Sequence, residues 1–480
     1  MQDHTLIFRD AAQARAVPLS LVEGQLPEDL RGTLLRNGPG VQHAGRTPVH
    51  FLDSYATVAA AQFGDGQVTY HARHVDLPLA QREAAAGQLL GRRPFTNRPG
   101  GRLANLLRLQ LSTCAGHDVY TWGGKVVAAD VGGHFTLDAS TLDTIGPAPV
   151  NALGGGLAQL SPMPRVNPFN GHLVTYVMTP GMLGKDSVTF VEFDEKWQER
   201  GRVKRSLGVK GALLHDVAVT AQHYIVVQFG LLDVGSAAAG SAVVLDALRL
   251  PPGSARLLAV PREGDGPMHV LPLPDHHQGF HIVNAYEEAG LLVVDTTVYQ
   301  GALDFDPLNP PGLGRQGPSP WAAGPRGGPW LARHTLDLRS GAHQVQVHPQ
   351  AAGEAPSIRE SLNGQRHRYA YVSAQGSRGD EPVDNAYYWY HGVAKLDCDG
   401  GTTAALWDAG PRTYLTAPQF VARGPAEDEG WVLAWTHDAA QDRGGLVVLD
   451  AQHLNQGPVA RFALPAPLPP ASHVAWMDAG

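Results

Sequence analysis

The sequence predicts an all-β protein and, at its size, a β-propeller. Three observations carry that prediction. Short runs rich in Val, Tyr, Trp and Thr recur along the whole 480-residue chain, and these residue types suit a pleated, half-buried surface. Clusters of Gly, Asn, Asp and Pro separate the runs. Helical patterns are few. A chain of this length exceeds the usual single core, and a sandwich of this size would be too large for one. One repetitive architecture spanning residues 1–480 as a single domain is therefore expected.

Taken in order, "LAQREAAAGQLLG" at 79–91 is the best helical pattern. Strand-like runs follow: "GKVVAAD", "HLVTYVM", "SVTFVEF", "HYIVVQFG", "SAVVLDAL", "GLLVVDTTVY", "RYAYVSA", "GVAKLD", "GWVLAWTHD" and "GGLVVLD". Turn signals such as "FGDGQ", "TWGGK", "NPFNG" and "DCDGG" punctuate the chain. The stretch "DFDPLNPPGLGRQGPSPWAAGPRGGPW" at 304–330 is too rich in Pro and Gly for strands and reads as a long loop. No repeat of the WD or kelch kind is present, so periodicity does not supply a blade number.

Composition narrows the function. The net charge is −8 and the charges are scattered, so no nucleic-acid footprint exists. The two cysteines, Cys114 and Cys398, argue against a disulfide scaffold or a Cys-based zinc site and fit a reducing cytoplasm. No basic start leads into an apolar run, so no signal peptide is expected, and no stretch has the length of a membrane span.

The 22 histidines prove nothing by number, but three sit in similar places. His215 lies in "LLHDVAVT", His281 in "GFHIVNAYEE" and His473 in "PPASHVAWM". Each precedes or ends a strand-like run. In a propeller the innermost strands start near the central axis, so residues from distant blades can meet there. Such a meeting makes a metal site of neutral imidazoles without Cys. Taken singly, each His reads more readily as a strand-end cap or a hydrogen-bonded core residue than as a ligand. Other motifs carry less. "DHHQGFH" lacks the Cys or Glu partners of a zinc site and reads as a turn. "GGG" at 154–156 lacks the Lys and Ser/Thr of a phosphate loop. No Gly-x-Ser-x-Gly elbow occurs.

These segments carry a resemblance. "RGTLLRNGPG" at 31–40, "HDVAVT", "FHIVNAYEE", "APQFVARGPAEDEGWVLAW" and the C-terminal "LVVLDAQHLNQGPVARFALPAPLPPASHVAW" resemble, in order, the motifs of the carotenoid cleavage oxygenase family. That family includes carotenoid and stilbene dioxygenases and retinoid isomerohydrolases. The resemblance covers nearly the whole chain. It implies a seven-bladed propeller capped by a dome of loops and helices. It also implies a non-haem Fe(II) on the axis and an apolar tunnel that brings a conjugated substrate and O2 together. His215, His281 and His473 match three of the family's four iron ligands.

The fourth ligand does not match. In "PMPRVNPFNGHL" Met163 stands where the family has His. His172 falls in the following turn and is not a ligand candidate. Met163 reads more readily as a core methionine filling vacated space than as a sulfur ligand. The family supports three imidazoles with carboxylates, which fix the tautomer and raise basicity. Those positions fall on Asp130, Glu354 and Ala417. Asp130 is expected beside His215 and Glu354 beside His281, with His473 left unsupported. Ala129 takes the place where the stilbene-cleaving branch carries a Lys, which speaks against a 4-hydroxystilbene and for an apolar apocarotenoid-like substrate. The expected activity is therefore Fe(II)-dependent oxidative cleavage of a C=C bond into two carbonyl products. The alternative is an iron-deficient propeller that binds apolar molecules or acts as a scaffold, favoured by Met163 and Ala417. Peripheral membrane contact at a tunnel mouth stays open, because a small apolar patch leaves no hydropathy signal.

Overall fold

A computed structural model describes residues 8–181, 184–241, 243–301, 327–375, 390–410, 412–471 and 473–479. Seven antiparallel sheets of four to six strands follow one another along the chain, with a small two-strand ribbon beside them. They are the blades of a propeller, numbered here in chain order.

Blade 1 holds the strands Gly32–Val41, Tyr55–Gly64 and Gln67–His74, with Ala14–Pro18 at its outer edge. The C-terminal strand His473–Asp478 pairs with Gly32–Val41 in register His473 to Asn37, which closes the ring. Blade 2 comprises Asp118–Trp122, Lys125–Asp130, Gly133–Leu137 and Thr144–Pro147. Blade 3 is built on Leu173–Thr179, Ser187–Phe193 and Glu199–Ser206, with two short inner strands, Gln159–Leu160 and Arg165–Val166. Blade 4 opens with Ala212–Val219, blade 5 with His277–Glu288 and blade 6 with Glu354–Ser357. Blade 7 joins Thr413–Leu415, Gln419–Ala422, Gly430–Asp438, Arg443–Asp450 and Pro458–Ala463 to the N-terminal strand Ser20–Gly24.

Each blade is covered on both faces by its neighbours, so its central strands are buried at nearly every position. Leu173–Thr179 is buried through six consecutive residues, whereas the outer strand Glu199–Ser206 alternates. A separate core fills each gap between blades. Val58 and Val126 meet between blades 1 and 2, Val127 and Val191 between 2 and 3, and Phe190 and Val226 between 3 and 4. Val227 and Val294 meet between blades 4 and 5, Leu331 and Val372 between 5 and 6, Val393 and Val447 between 6 and 7, and Tyr70 and Trp435 between 7 and 1.

The segment between blades 1 and 2 carries the helices Pro78–Ala86 and Gly101–Asn105. The first begins one residue before the helical pattern read at 79–91 and ends where Gly87 adopts the left-handed conformation, φ 67°. The segment is pinned by a fully buried Arg93–Glu83 ion pair of 2.7 Å. It also packs on a segment of blade 4: the Arg92 guanidinium donates to the Ala237 carbonyl at 2.7 Å, and Leu109 and Leu111 cover Ala237 and Val244. These are the dome elements the described residues show. Most of the expected 304–330 loop lies outside the described residues. Its last residues, Gly327–Trp330, begin a blade 5 strand rather than a loop.

Candidate metal centre

Four imidazoles meet where blades 1, 2, 4 and 5 face one another. The ring centroids of His215 and His281 are 5.0 Å apart, and those of His281 and His473 are 5.1 Å apart. His117 closes the circuit, 4.7 Å from His473 and 5.0 Å from His215. In this circuit His117 stands opposite His281.

Local irregularity aims these side chains. The pairing of Ala212–Val219 with its neighbour shifts register between Leu214 and Val217, and that of His277–Glu288 shifts between Gly279 and Ile282. His215 and His281 therefore sit in bulges, which turn a side chain out of the regular alternation. His473 is the first residue of the closing strand, and His117 immediately precedes Asp118–Trp122.

Hydrogen bonds to Nδ1 fix two of the rings. His215 Nδ1–H donates to the Phe280 carbonyl at 3.0 Å, and His281 Nδ1–H donates to Glu354 at 2.7 Å. In a neutral imidazole this leaves the electron pair on Nε2. The Nε2 atoms of His117, His281 and His473 are buried and have no hydrogen-bond partner, although His117 as a whole is partly exposed. Burial holds His117, His215 and His473 neutral. His117 is pushed down to about 3, by burial first and then by His281 and Arg165. His215 and His473 lie well below the usual imidazole range for the same leading reason. For His281, burial alone would act in that direction, but the Glu354 carboxylate outweighs it and raises the value.

Asp216 directly follows His215 in "LLHDVAVT". Its carboxylate does not serve His215. It pairs with Arg165 at 3.0 Å and accepts the backbone N–H of Ile282 at 2.9 Å, tying the His215 strand to the residue after His281.

The expected carboxylates divide. Glu354 is fully buried and sits on His281, with its other oxygen accepting from Thr297 at 2.9 Å. The expected Asp130–His215 pair is not formed. The shorter Asp130 carboxylate stays within its own turn and accepts from Gly132 and Gly133. It also accepts from the N–H groups of Cys114 at 2.6 Å and Ala115 at 2.7 Å and from the Thr113 hydroxyl. It holds the loop that leads to His117. Asp118 Oδ1 lies 3.8 Å from Nδ1 of His473, longer than a hydrogen bond. Met163 and Ala417 are both buried, at 2% and 6% exposure. Ala129 packs in the core between blades 2 and 3. His172 lies beside Glu192, 3.1 Å away, and takes no part.

His117 was absent from the sequence reading. One signal for it existed: the tripeptide His-Asp-Val occurs at 117–119 and again at 215–217.

An aromatic wall borders the imidazoles. Phe280 and Phe229 stand edge-on to His215 with centroids at 5.3 and 6.1 Å, and Tyr299 lies 6.4 Å from Phe280. A second buried cluster, Asp295, His367 and Cys398, lies between blades 5 and 6. Both oxygens of Asp295 are taken by Arg333, at 2.8 and 2.7 Å, so this cluster is organised as a structural ion pair.

The family model described as retinal pigment epithelial membrane protein, RPE65, matches residues 8–478. The apocarotenoid-15,15'-oxygenase of Synechocystis is 30% identical over 486 aligned positions, covering 95% of this chain and 92% of that protein. The isoeugenol monooxygenase of Pseudomonas putida is 29% identical, covering 95% and 94%. Among solved structures, cobalt-substituted Synechocystis apocarotenoid oxygenase superposes with a TM-score of 0.85 at 27% identity, covering 100% of this chain and 99% of that one. Fold, motif order and family match agree, and the chain belongs to the RPE65 and carotenoid cleavage oxygenase family.

Proposed function

We propose that this protein is an iron-dependent oxygenase that cleaves a C=C bond of an apolar conjugated substrate of the carotenoid or apocarotenoid class into two carbonyl products. One observation carries the reading: four buried or half-buried imidazoles, three of them with unpartnered Nε2 atoms, gather in one ring beside an aromatic wall. Buried polar nitrogens rarely go without a partner, and neutral imidazoles suit a divalent transition metal. His215, His281 and His473 would hold the ion. Bound Fe(II) supplies the activation of O2.

The protein's own part is positioning and exclusion of water. Phe280 acts twice, orienting His215 through its carbonyl and offering a ring face to the substrate. Glu354 fixes the His281 tautomer. Phe229, Phe280 and Tyr299 form an apolar surface for a conjugated chain, and the Tyr299 and Tyr390 hydroxyls meet each other at 3.0 Å. With Ala129 buried in a core, that position offers no cation for a phenolate.

Peripheral membrane contact belongs to the same reading. Leu103 and Leu107 are 84% and 76% exposed on the segment between blades 1 and 2, and Arg102 and Arg108 flank them. Apolar side chains rimmed by basic residues suit an anionic lipid surface. No helix among the described residues is long and apolar enough to cross a membrane. The buried free thiols Cys114 and Cys398 suit a reducing cytoplasm.

The test is anaerobic reconstitution with Fe(II), exposure to O2 with a panel of apocarotenoids, and mass spectrometry of the products. Paired carbonyl fragments that vanish in His281→Ala are expected. An iron-loaded protein that cleaves none of the panel would overturn the substrate class.

A further inference from the structure

We infer that the dipeptide His117–Asp118 replaces two groups missing elsewhere in the site, His117 as a fourth imidazole ligand and Asp118 as the carboxylate behind His473. The inference rests on the metal-dependent reading above.

The two losses lie on different blades. Met163 is on blade 3 and Ala417 on blade 7, and neither side chain can supply an imidazole or a carboxylate. Blade 2 lies between blade 1, which carries His473, and blade 3. A group at the start of its innermost strand therefore reaches the gap between His473 and His215. His117 fills that gap, at 4.7 and 5.0 Å from its two neighbours. The next residue lies on the far side of His473: Asp118 is 3% exposed, and its Oδ1 stands 3.8 Å from His473 Nδ1.

Three features separate this arrangement from ordinary packing. The Nε2 of His117 is buried and unpartnered, as are those of His281 and His473. The second carboxylate oxygen of Asp118 is likewise buried without a partner. The loop is also held from several directions. Asn37 Nδ2 donates to the carbonyls of Ala115 and Asp118 at 2.6 and 2.8 Å, and the His117 N–H donates to the Ala129 carbonyl at 3.0 Å. Asp130 clamps the N–H groups of Cys114 and Ala115. A carboxylate that serves an imidazole elsewhere in the family here positions the loop that delivers one.

His117 would hold the ion from blade 2, across the ring of imidazoles from His281.

The experiment measures Fe(II) affinity anaerobically, by chelator competition, and records the visible spectrum of the Co(II)-loaded protein. Wild type is compared with His117→Ala, His117→Asn, Asp118→Asn, His281→Ala and His117→Ala combined with Met163→His, with folding followed by circular dichroism. Loss of a direct ligand should exceed the roughly 10–100-fold weakening typical of losing a ligand's partner. The two His117 variants are therefore expected to fall by about 100-fold or more and to change the Co(II) band intensity. Asp118→Asn is expected to fall by about tenfold. Adding Met163→His to His117→Ala should restore part of the affinity. Folded His117→Ala or His117→Asn protein with wild-type affinity and an unchanged Co(II) spectrum would overturn the assignment while His281→Ala still lost the metal. A folded wild type that binds neither metal would overturn the metal reading and the assignment together.

Discussion

Glu354 allows the chemistry of the site to be separated from its stability. Three donors converge on its buried carboxylate: His281 Nδ1–H at 2.7 Å, the Thr297 hydroxyl at 2.9 Å and the N–H of Ala355. Glu354→Ala leaves all three without an acceptor. Each buried orphan costs about 1–3 kcal/mol, and breaking a buried charged pair from one side costs about 3–5 kcal/mol. The metal-free variant should therefore lose about 3–5 kcal/mol. Glu354→Gln behaves differently. Its amide oxygen still accepts from His281, and the Thr297 hydroxyl can turn to accept from the amide nitrogen, so the stability loss should stay near 1 kcal/mol. The negative charge behind His281 is gone, however, and Fe(II) affinity should fall by about 10–100-fold. Urea unfolding of the metal-free proteins gives the first quantity, and anaerobic Fe(II) titration the second. A Glu354→Gln protein with undiminished Fe(II) affinity would refute the claim that Glu354 supports a metal ligand.

Three further outcomes follow from the structure. Met163→Leu conserves volume at a buried position and should cost less than about 1.5 kcal/mol without weakening Fe(II) binding; a large loss of affinity would show that the thioether is a ligand. Asp53 is fully buried, and burial pushes its carboxyl from the ordinary 3.8 up to about 7. A folded carboxyl with a raised pKa holds its proton where the unfolded chain has lost it, so its contribution to stability falls as pH rises from about 4 to 7, by at most ~4 kcal/mol. The stability of wild type relative to Asp53→Asn, measured by urea unfolding, should fall across that window, and a constant difference would contradict the assignment. Leu103→Glu combined with Leu107→Glu should abolish co-sedimentation with vesicles containing anionic lipid while leaving Fe(II) binding intact; undiminished sedimentation would remove the membrane surface.

Much of the fold was legible in the sequence. The central strands read as nearly continuous apolar runs because each blade is buried on both faces, and Leu173–Thr179 is the clearest case. Blade number was not legible from periodicity, because blade 3 opens with two short inner strands where blade 5 opens with one long one. It came from the resemblance. The site was legible where a residue sits in its own motif, as His215, His281 and His473 do. It was not legible where one residue takes over from another through space. Met163 and His117 are far apart in sequence and lie on adjacent blades, so a motif comparison records a loss where the fold contains a replacement. Asp130 shows the same limit at smaller scale. Its position carries a carboxylate, but one methylene decides that it reaches the backbone of the 113–115 loop rather than His215.

The proposed activity requires that this propeller hold iron on its axial imidazoles. The most direct measurement is elemental analysis of protein purified anaerobically without added metal, beside its His281→Ala variant. Near-equimolar iron is expected in wild type and little in the variant, both remaining folded. Folded wild type without iron even after anaerobic reconstitution, or equal iron in both proteins, would contradict it.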